Sequence, residues 1–403
     1  MVTSIEDLRI CYTKTESPVS HFGIMLDVGS REDANCSGIA HIVEHMIFKG
    51  SKNMNGFDIF DRIEGLGGDI NAYTAKEETC YYIAVMKEYF EETAQVLFEM
   101  LSNPEFKEKE LVKEKSVIID EIESYLDQPA ERIADEFESM VFETSPLAGN
   151  ILGTHESVNA ATRQQLLDFF STHYIIPNMV FSYVGSHTIE EVSNVIIKHI
   201  NKLQKKQKTI YRTNQIVYIT SQQQKKLRTS QAHCIYGWKS YDFNTPLSKR
   251  FAFSFLANYL AGHGFNSVLN LELREKRGVA YNIEGTFGSF SDNGLFTIYI
   301  GTGKNKIKIV DNVINQEIER IINNLLPIEI IKKYKQQLIG YTAIQFENKS
   351  SLMTNNAKNL LVFGKLFDFN EIVSYIHSIT AEDIQNSAFE IFIPNNKSTL
   401  HYV

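Results

Sequence analysis

Three observations predict an α+β chain of two homologous domains, each a mostly antiparallel sheet packed with helices. Strand-like runs such as "TCYYIAVM" (79–86) and "GLFTIYIGTG" (294–303) are followed by helical patterns over 87–102 and 306–325. At 403 residues the chain is too long for one ordinary compact core. Its halves also read as distant copies. "HFGIMLDVGSRED", a helix, "IEGLGGDINAYTAKEETCYYIAVM" and a helix are matched later by "QAHCIYGWKSYDF", a helix, "REKRGVAYNIEGTFGSFSDNGLFTIYIG" and a helix.

The boundary between the copies follows a shift in composition. "NKLQKKQKTIYRTNQ" and "TSQQQKKLRTSQ" are polar and basic, and only the run "IVYIT" (216–220) between them reads as a strand. The expected division is therefore a domain over 1–202, a linker over 203–220 and a domain over 221–403.

Composition narrows the function classes. An apolar fraction of 43% with 22% charged residues is that of a globular protein. A net charge of −9 without a basic, aromatic-interleaved patch argues against a nucleic-acid partner. No apolar run approaches the ~18–20 residues that span a bilayer, and the start lacks an export pattern, so no membrane partner is expected. Cys11, Cys36, Cys80 and Cys234 are scattered without a C-x-x-C pair, which suits a reducing, cytoplasmic location.

The first copy carries a feature the second lacks. "SGIAHIVEHMIFKG" (37–50) sets His41, Glu44 and His45 in an apolar run. On a helix, positions four apart share a face, so both imidazoles can converge on one point while Glu44 borders it. Ile39, Ile42, Val43, Met46 and Ile47 supply the packing. Ser37 is the expected N-cap and Gly50 the stop, giving a helix of about 38–49. A catalytic zinc takes three protein ligands and keeps a fourth position for water, so two histidines are one ligand short. Glu44 suits the base that takes a proton from that water.

The missing ligand is sought in "LVKEKSVIIDEIESYLD" (111–127), a helix with Ile118, Ile119, Ile122 and Leu126 on its apolar side. Glu114 and Glu121 stand two turns apart on one face. Either that face is simply solvated, or Glu121 is the third ligand and Glu114 orients a ligand or the water.

The H-x-x-E-H order, with Glu121 closing an E-x-x-x-x-x-x-E pair 76 residues after His45, resembles the pitrilysin family, which includes insulin-degrading enzyme and the mitochondrial processing peptidases. "SPLAGNILGTHESV", "FFSTHYIIPNMVFSYVG" and "LNLELREKRGVAYNI" extend the resemblance over nearly the whole chain. It implies one Zn2+ per subunit held by His41, His45 and Glu121, with Glu44 as base and Glu114 behind the ligands. It also implies half of a clamshell, dimerising around a chamber in which unfolded peptides are cleaved. "GDINAYTAKEET" resembles the edge strand on which the family lays its substrate, with Asn71, Ala72 and the nearby Phe48 as contacts. Arg274 and Tyr281 in "REKRGVAY" match the pair that the second domain sends to the scissile peptide. With both halves of the site on one chain, a homodimer is expected, its second domain serving the partner's zinc. The glycine-rich loop of the noncatalytic processing subunit is missing, so general peptide breakdown is expected. The alternative is a noncatalytic partner subunit of a processing-peptidase-like complex. His263 reads as a turn residue, and Cys36 and Cys80 as packing thiols.

Overall fold

Strands β1 (Val2–Ile5), β2 (Leu8–Lys14), β3 (Val19–Leu26), β4 (Asp69–Thr74), β5 (Thr79–Met86) and β6 (Met179–Gly185) form a sheet of order β1-β2-β6-β3-β5-β4. A second sheet holds β7 (Gln222–Lys225), β8 (Ala232–Lys239), β9 (Ala280–Ser289), β10 (Gly294–Thr302) and β11 (Ser398–Tyr402) in the order β7-β11-β8-β10-β9. The computed structural model describes residues 1–208, 212 and 216–403. Read from β2, the first order repeats the second. Each sheet has one parallel pair, β2 with β6 and β7 with β11, and is otherwise antiparallel. The duplication legible in the sequence is thus a duplication of topology, in two α+β domains.

In the first unit both sheet faces are covered. Phe22, Ile24, Tyr81, Ile83 and Phe181 pack with Ile42, Val43 and Met46 of the helix Ile39–Ile47 and with Leu97. On the opposite face of the same sheet, Cys11, Met25, Cys80 and Val180 pack with Ala357 and Leu360 of the helix Lys349–Phe363. Each large side chain buried this way contributes about 1.5–3 kcal/mol by leaving water. The Ser182 hydroxyl donates to the Met353 carbonyl at 2.7 Å, satisfying a polar group in that layer. Burial on both faces explains why β6, "MVFSYVG", is buried throughout rather than alternating.

The compact units interleave where the sequence suggested division at 202 and 221. One comprises 1–124, 149–211 and 345–367, the other 125–148, 212–344 and 368–403. The helix Pro129–Val141 belongs to the second, where Ile133 and Phe137 pack with Ile235, Leu400 and Tyr402. Six expected linker positions, 209–211 and 213–215, lie outside the described residues.

Three local expectations are corrected. Residues 216–220 form no strand; the Ile219 amide donates to the Val141 carbonyl at 2.8 Å. The strand comes instead at β7, whose four exposed side chains give no alternation to read. Leu126 is exposed, because the chain leaves the first unit after Ser124. Ser37 does not cap the helix Ile39–Ile47. Gly38 is the N-cap at φ 85°, a left-handed conformation, and a Cβ there would lie 2.8 Å from the Leu152 carbonyl. The Asp33 carboxylate takes over the capping, accepting from the Gly38 and Ala40 amides at 2.6 and 3.0 Å.

All four cysteines are buried and unpaired, with Cys80 in the sheet core. His263 is exposed in a bend. Among the described residues, no helix is long and apolar enough to cross a membrane.

Candidate metal centre

One helical turn brings the two imidazoles together. Nε2 of His41 and Nε2 of His45 are 3.2 Å apart. Amides of Phe48 and Lys49 turn back to the carbonyls of His45 and Met46, closing the helix at Ile47 rather than 49. His41 is 7% exposed, Glu44 9% and Glu114 5%. Polar groups buried so far need partners.

The helix Glu108–Leu126 supplies them from across the site. Leu111, Glu114, Ile118 and Ile122 form its buried stripe, which anchors it and points Glu114 inward. Glu114 Oε1 lies 2.8 Å from His45 Nδ1, and its Oε2 is 2.6 Å from Lys49 Nζ. Two turns along, Glu121 Oε2 lies 3.8 Å from His41 Nε2 and 3.6 Å from His45 Nε2, with its side chain 45% exposed. His41, His45 and Glu121 are the group among the described residues whose ligand atoms lie close enough to share an ion.

These three fit a zinc ion. Two nitrogens on a tetrahedral ion at about 2.0–2.1 Å from each would sit about 3.3–3.4 Å apart, close to the spacing present. Burial, reinforced by His45, pushes the His41 imidazole down to about 3, so it is neutral and has a lone pair to offer. Burial works to lower His45, but the hydrogen bond with Glu114 and the charges of Glu44, Glu114 and Glu121 outweigh it and raise the ring. A Glu114 carboxylate accepting from Nδ1 leaves the His45 Nε2 lone pair directed at the site. Burial opposes ionisation of Glu114 too, yet His45 and Lys49 hold it below the ordinary carboxylate range. Among the described residues His41 Nδ1 is buried without a hydrogen-bond partner, so no bond behind the ring orients it as Glu114 orients His45.

Because Glu114 orients only one ligand, Glu114→Gln is expected to weaken zinc binding about 10–100-fold without abolishing it. Competition with a chromophoric chelator measures this. Unchanged affinity would show that His45 needs no such support.

Glu44 lies on the same helix and is not in the triad. Its Oε2 accepts from the Thr74 hydroxyl at 2.6 Å. Burial raises it above the usual carboxylate range, with Thr74 pulling the other way, and that direction suits a base working near neutral pH. Thr74 ends β4, the outer strand of its sheet, so among the described residues one edge of β4 has no neighbouring strand, although the Ala72 amide donates to the Asn71 side chain at 3.0 Å. Asn71 is exposed and Ala72 half-buried on that strand. Phe48 is half-buried, stacked on Phe60 at 5.7 Å and near Tyr81.

Thr74, Lys49 and Asp33 were missed in the sequence. Lys49 follows His45 by one helical turn, a spacing that could have revealed it.

The second unit carries Arg274 in a helical turn, Asn270–Glu275, where its guanidinium lies 4.5 Å over the exposed Phe265 ring. Tyr281, also exposed, is near the start of β9 and donates to Gln231. The helix that occupies the dihistidine position in this copy, Leu247–Ala261, contains no histidine.

The profile described as Insulinase (Peptidase family M16) matches residues 9–155, and that described as Peptidase M16 inactive domain matches 160–338. A protein of Rickettsia felis, named an uncharacterized zinc protease, is 30% identical over 92% of this chain and 89% of its own. The chain belongs to the insulinase family. Another relative, an uncharacterized zinc protease of Bacillus subtilis, is 28% identical over 92% of this chain and 90% of its own. The fold matches the crystal structure of a protease from Helicobacter pylori, with a TM-score of 0.92 at 19% identity over 100% of this chain and 99% of that one. A Pseudomonas fluorescens structure titled as a peptidase M16 inactive domain gives 0.92 at 18% identity, covering 100% and 97%. The chain is thus a two-domain member of the M16 family, resembling zinc proteases and bringing His41, His45 and Glu121 close enough to share a metal ion.

Proposed function

We propose that this M16 protein is a zinc endopeptidase that cleaves unfolded peptides inside a homodimeric chamber, with one metal per subunit. The observation carrying the reading is the convergence of His41, His45 and Glu121 beside a buried Glu44 and the outer edge of β4. A zinc ion at the triad would supply Lewis acidity and lower the pKa of water to about 7. Glu44 takes the proton of the water that attacks the peptide carbonyl and passes it to the departing nitrogen. The substrate lies extended along β4 at Asn71 and Ala72, gaining main-chain hydrogen bonds whatever its sequence, with Phe48 beside it. Glu114 orients His45. Arg274 and Tyr281 donate to the oxyanion from the second domain of the partner subunit. Four buried, unpaired cysteines support a reducing, cytoplasmic setting. The complete ligand set argues against a noncatalytic partner subunit, which would have no use for three converging ligands.

Sharing of the site between subunits is tested by mixing Glu44→Gln with Tyr281→Phe protein. Each parent is expected to be weak, whereas mixed dimers contain one site with both wild-type residues and regain activity. Activity no higher than either parent would place Tyr281 outside the partner's site.

A further inference from the structure

Resting on the assignment of Glu44 as base, we infer that Thr74 is the positioning residue that aims the Glu44 carboxylate, so that the strand proposed to pair with substrate also sets the base. The contact of 2.6 Å from Thr74 Oγ1 to Glu44 Oε2 lies in the range of a charge-assisted hydroxyl–carboxylate bond. A hydroxyl has one proton to give. It fixes one carboxylate oxygen and leaves the other to receive a proton from water. Glu44 itself has a long side chain, whereas β-branched threonine is stiff at χ1.

The backbone under Thr74 is held from two sides. Thr74 pairs with Thr79 in the β4–β5 hairpin, and the Ala75 amide donates to the Glu78 carbonyl at 2.7 Å. From the other side, the amides of Ser30 and Arg31 donate to the carbonyls of Ala75 and Lys76 at 3.0 and 2.8 Å, and the buried Arg31 side chain pairs with Glu77. Gly29 permits this approach, since a Cβ there would meet the Ala75 carbonyl at 2.2 Å. The dihistidine helix places Glu44 near the metal ligands; the hairpin decides which way its carboxylate turns.

The test compares Thr74→Val, which keeps the shape and removes the hydroxyl, with Thr74→Ser, which restores it. For Thr74→Val the expected result is a fall in kcat of about 10–100-fold, as for a reacting group displaced by about 1 Å, with KM and zinc content near wild type. Thr74→Ser recovers most of kcat. A Val variant with wild-type kcat, or a Ser variant as impaired as Val, overturns the inference. Crystal structures of the metal-free proteins give a readout independent of activity: the Glu44 carboxylate sits on Thr74 in wild type and turns away in Thr74→Val. An unmoved carboxylate overturns the inference. Failure of the base assignment is seen separately, as turnover retained by Glu44→Gln, and the crystallographic comparison still decides what Thr74 does.

Discussion

Glu44→Gln is expected to lower peptide hydrolysis at least about 10²–10⁴-fold, the range contributed by a positioned general base. Zinc should stay bound at wild-type stoichiometry, since Glu44 stands outside the triad. The substitution is nearly isosteric, and the amide oxygen can still accept from Thr74, so the helix and its packing persist. It also removes an ionisable group from a site only 9% exposed, where charge is costly, so thermal stability should hold or rise. Loss of turnover is then a loss of proton transfer rather than of structure. Kinetics on a quenched peptide, with metal analysis of the same preparation, checks both halves. Substantial turnover by Glu44→Gln would remove Glu44 from the base role.

The second large effect is expected at the ligands. Alanine at His41, His45 or Glu121 should remove zinc and activity together, because two remaining donors no longer form a three-ligand site. The linkage can be read without any substrate. A ligand that binds only the folded protein stabilises it by about 4 kcal/mol at a concentration 1,000 times its Kd. Zinc should therefore raise the melting temperature of the chelator-treated wild type and leave the three variants unmoved. An alanine variant at Glu121 that still responded like wild type would show that the carboxylate is not a ligand.

The parts of this site that follow helical arithmetic were legible in the sequence. His41 and His45 one turn apart, and Glu114 and Glu121 two turns apart, each define a face before any fold is known. The strands "TCYYIAVM" and "NAYT" were legible because their residues suit a sheet, and the repeated succession of strand, helix, strand pair and helix was legible too, but not the order of strands within each sheet. What could not be read was which surface meets which. Thr74 reaches Glu44 across thirty residues through a tertiary contact with no local period. Asp33 caps its helix from five residues before the N-cap, beyond the usual capping pattern. Hydrophobic periodicity marks a face on the helix Lys349–Phe363 but does not say that it covers the first sheet. In β7 the pairing is carried by backbone alone, so its polar glutamines gave no strand signal.

The most direct measurement is a zinc-edge anomalous difference map from crystals grown with the metal. A single strong peak bonded to Nε2 of His41, Nε2 of His45 and the Glu121 carboxylate, with one position left for water, is the predicted result. No peak at the triad, or a metal held elsewhere while Glu121 points into solvent, would contradict the account.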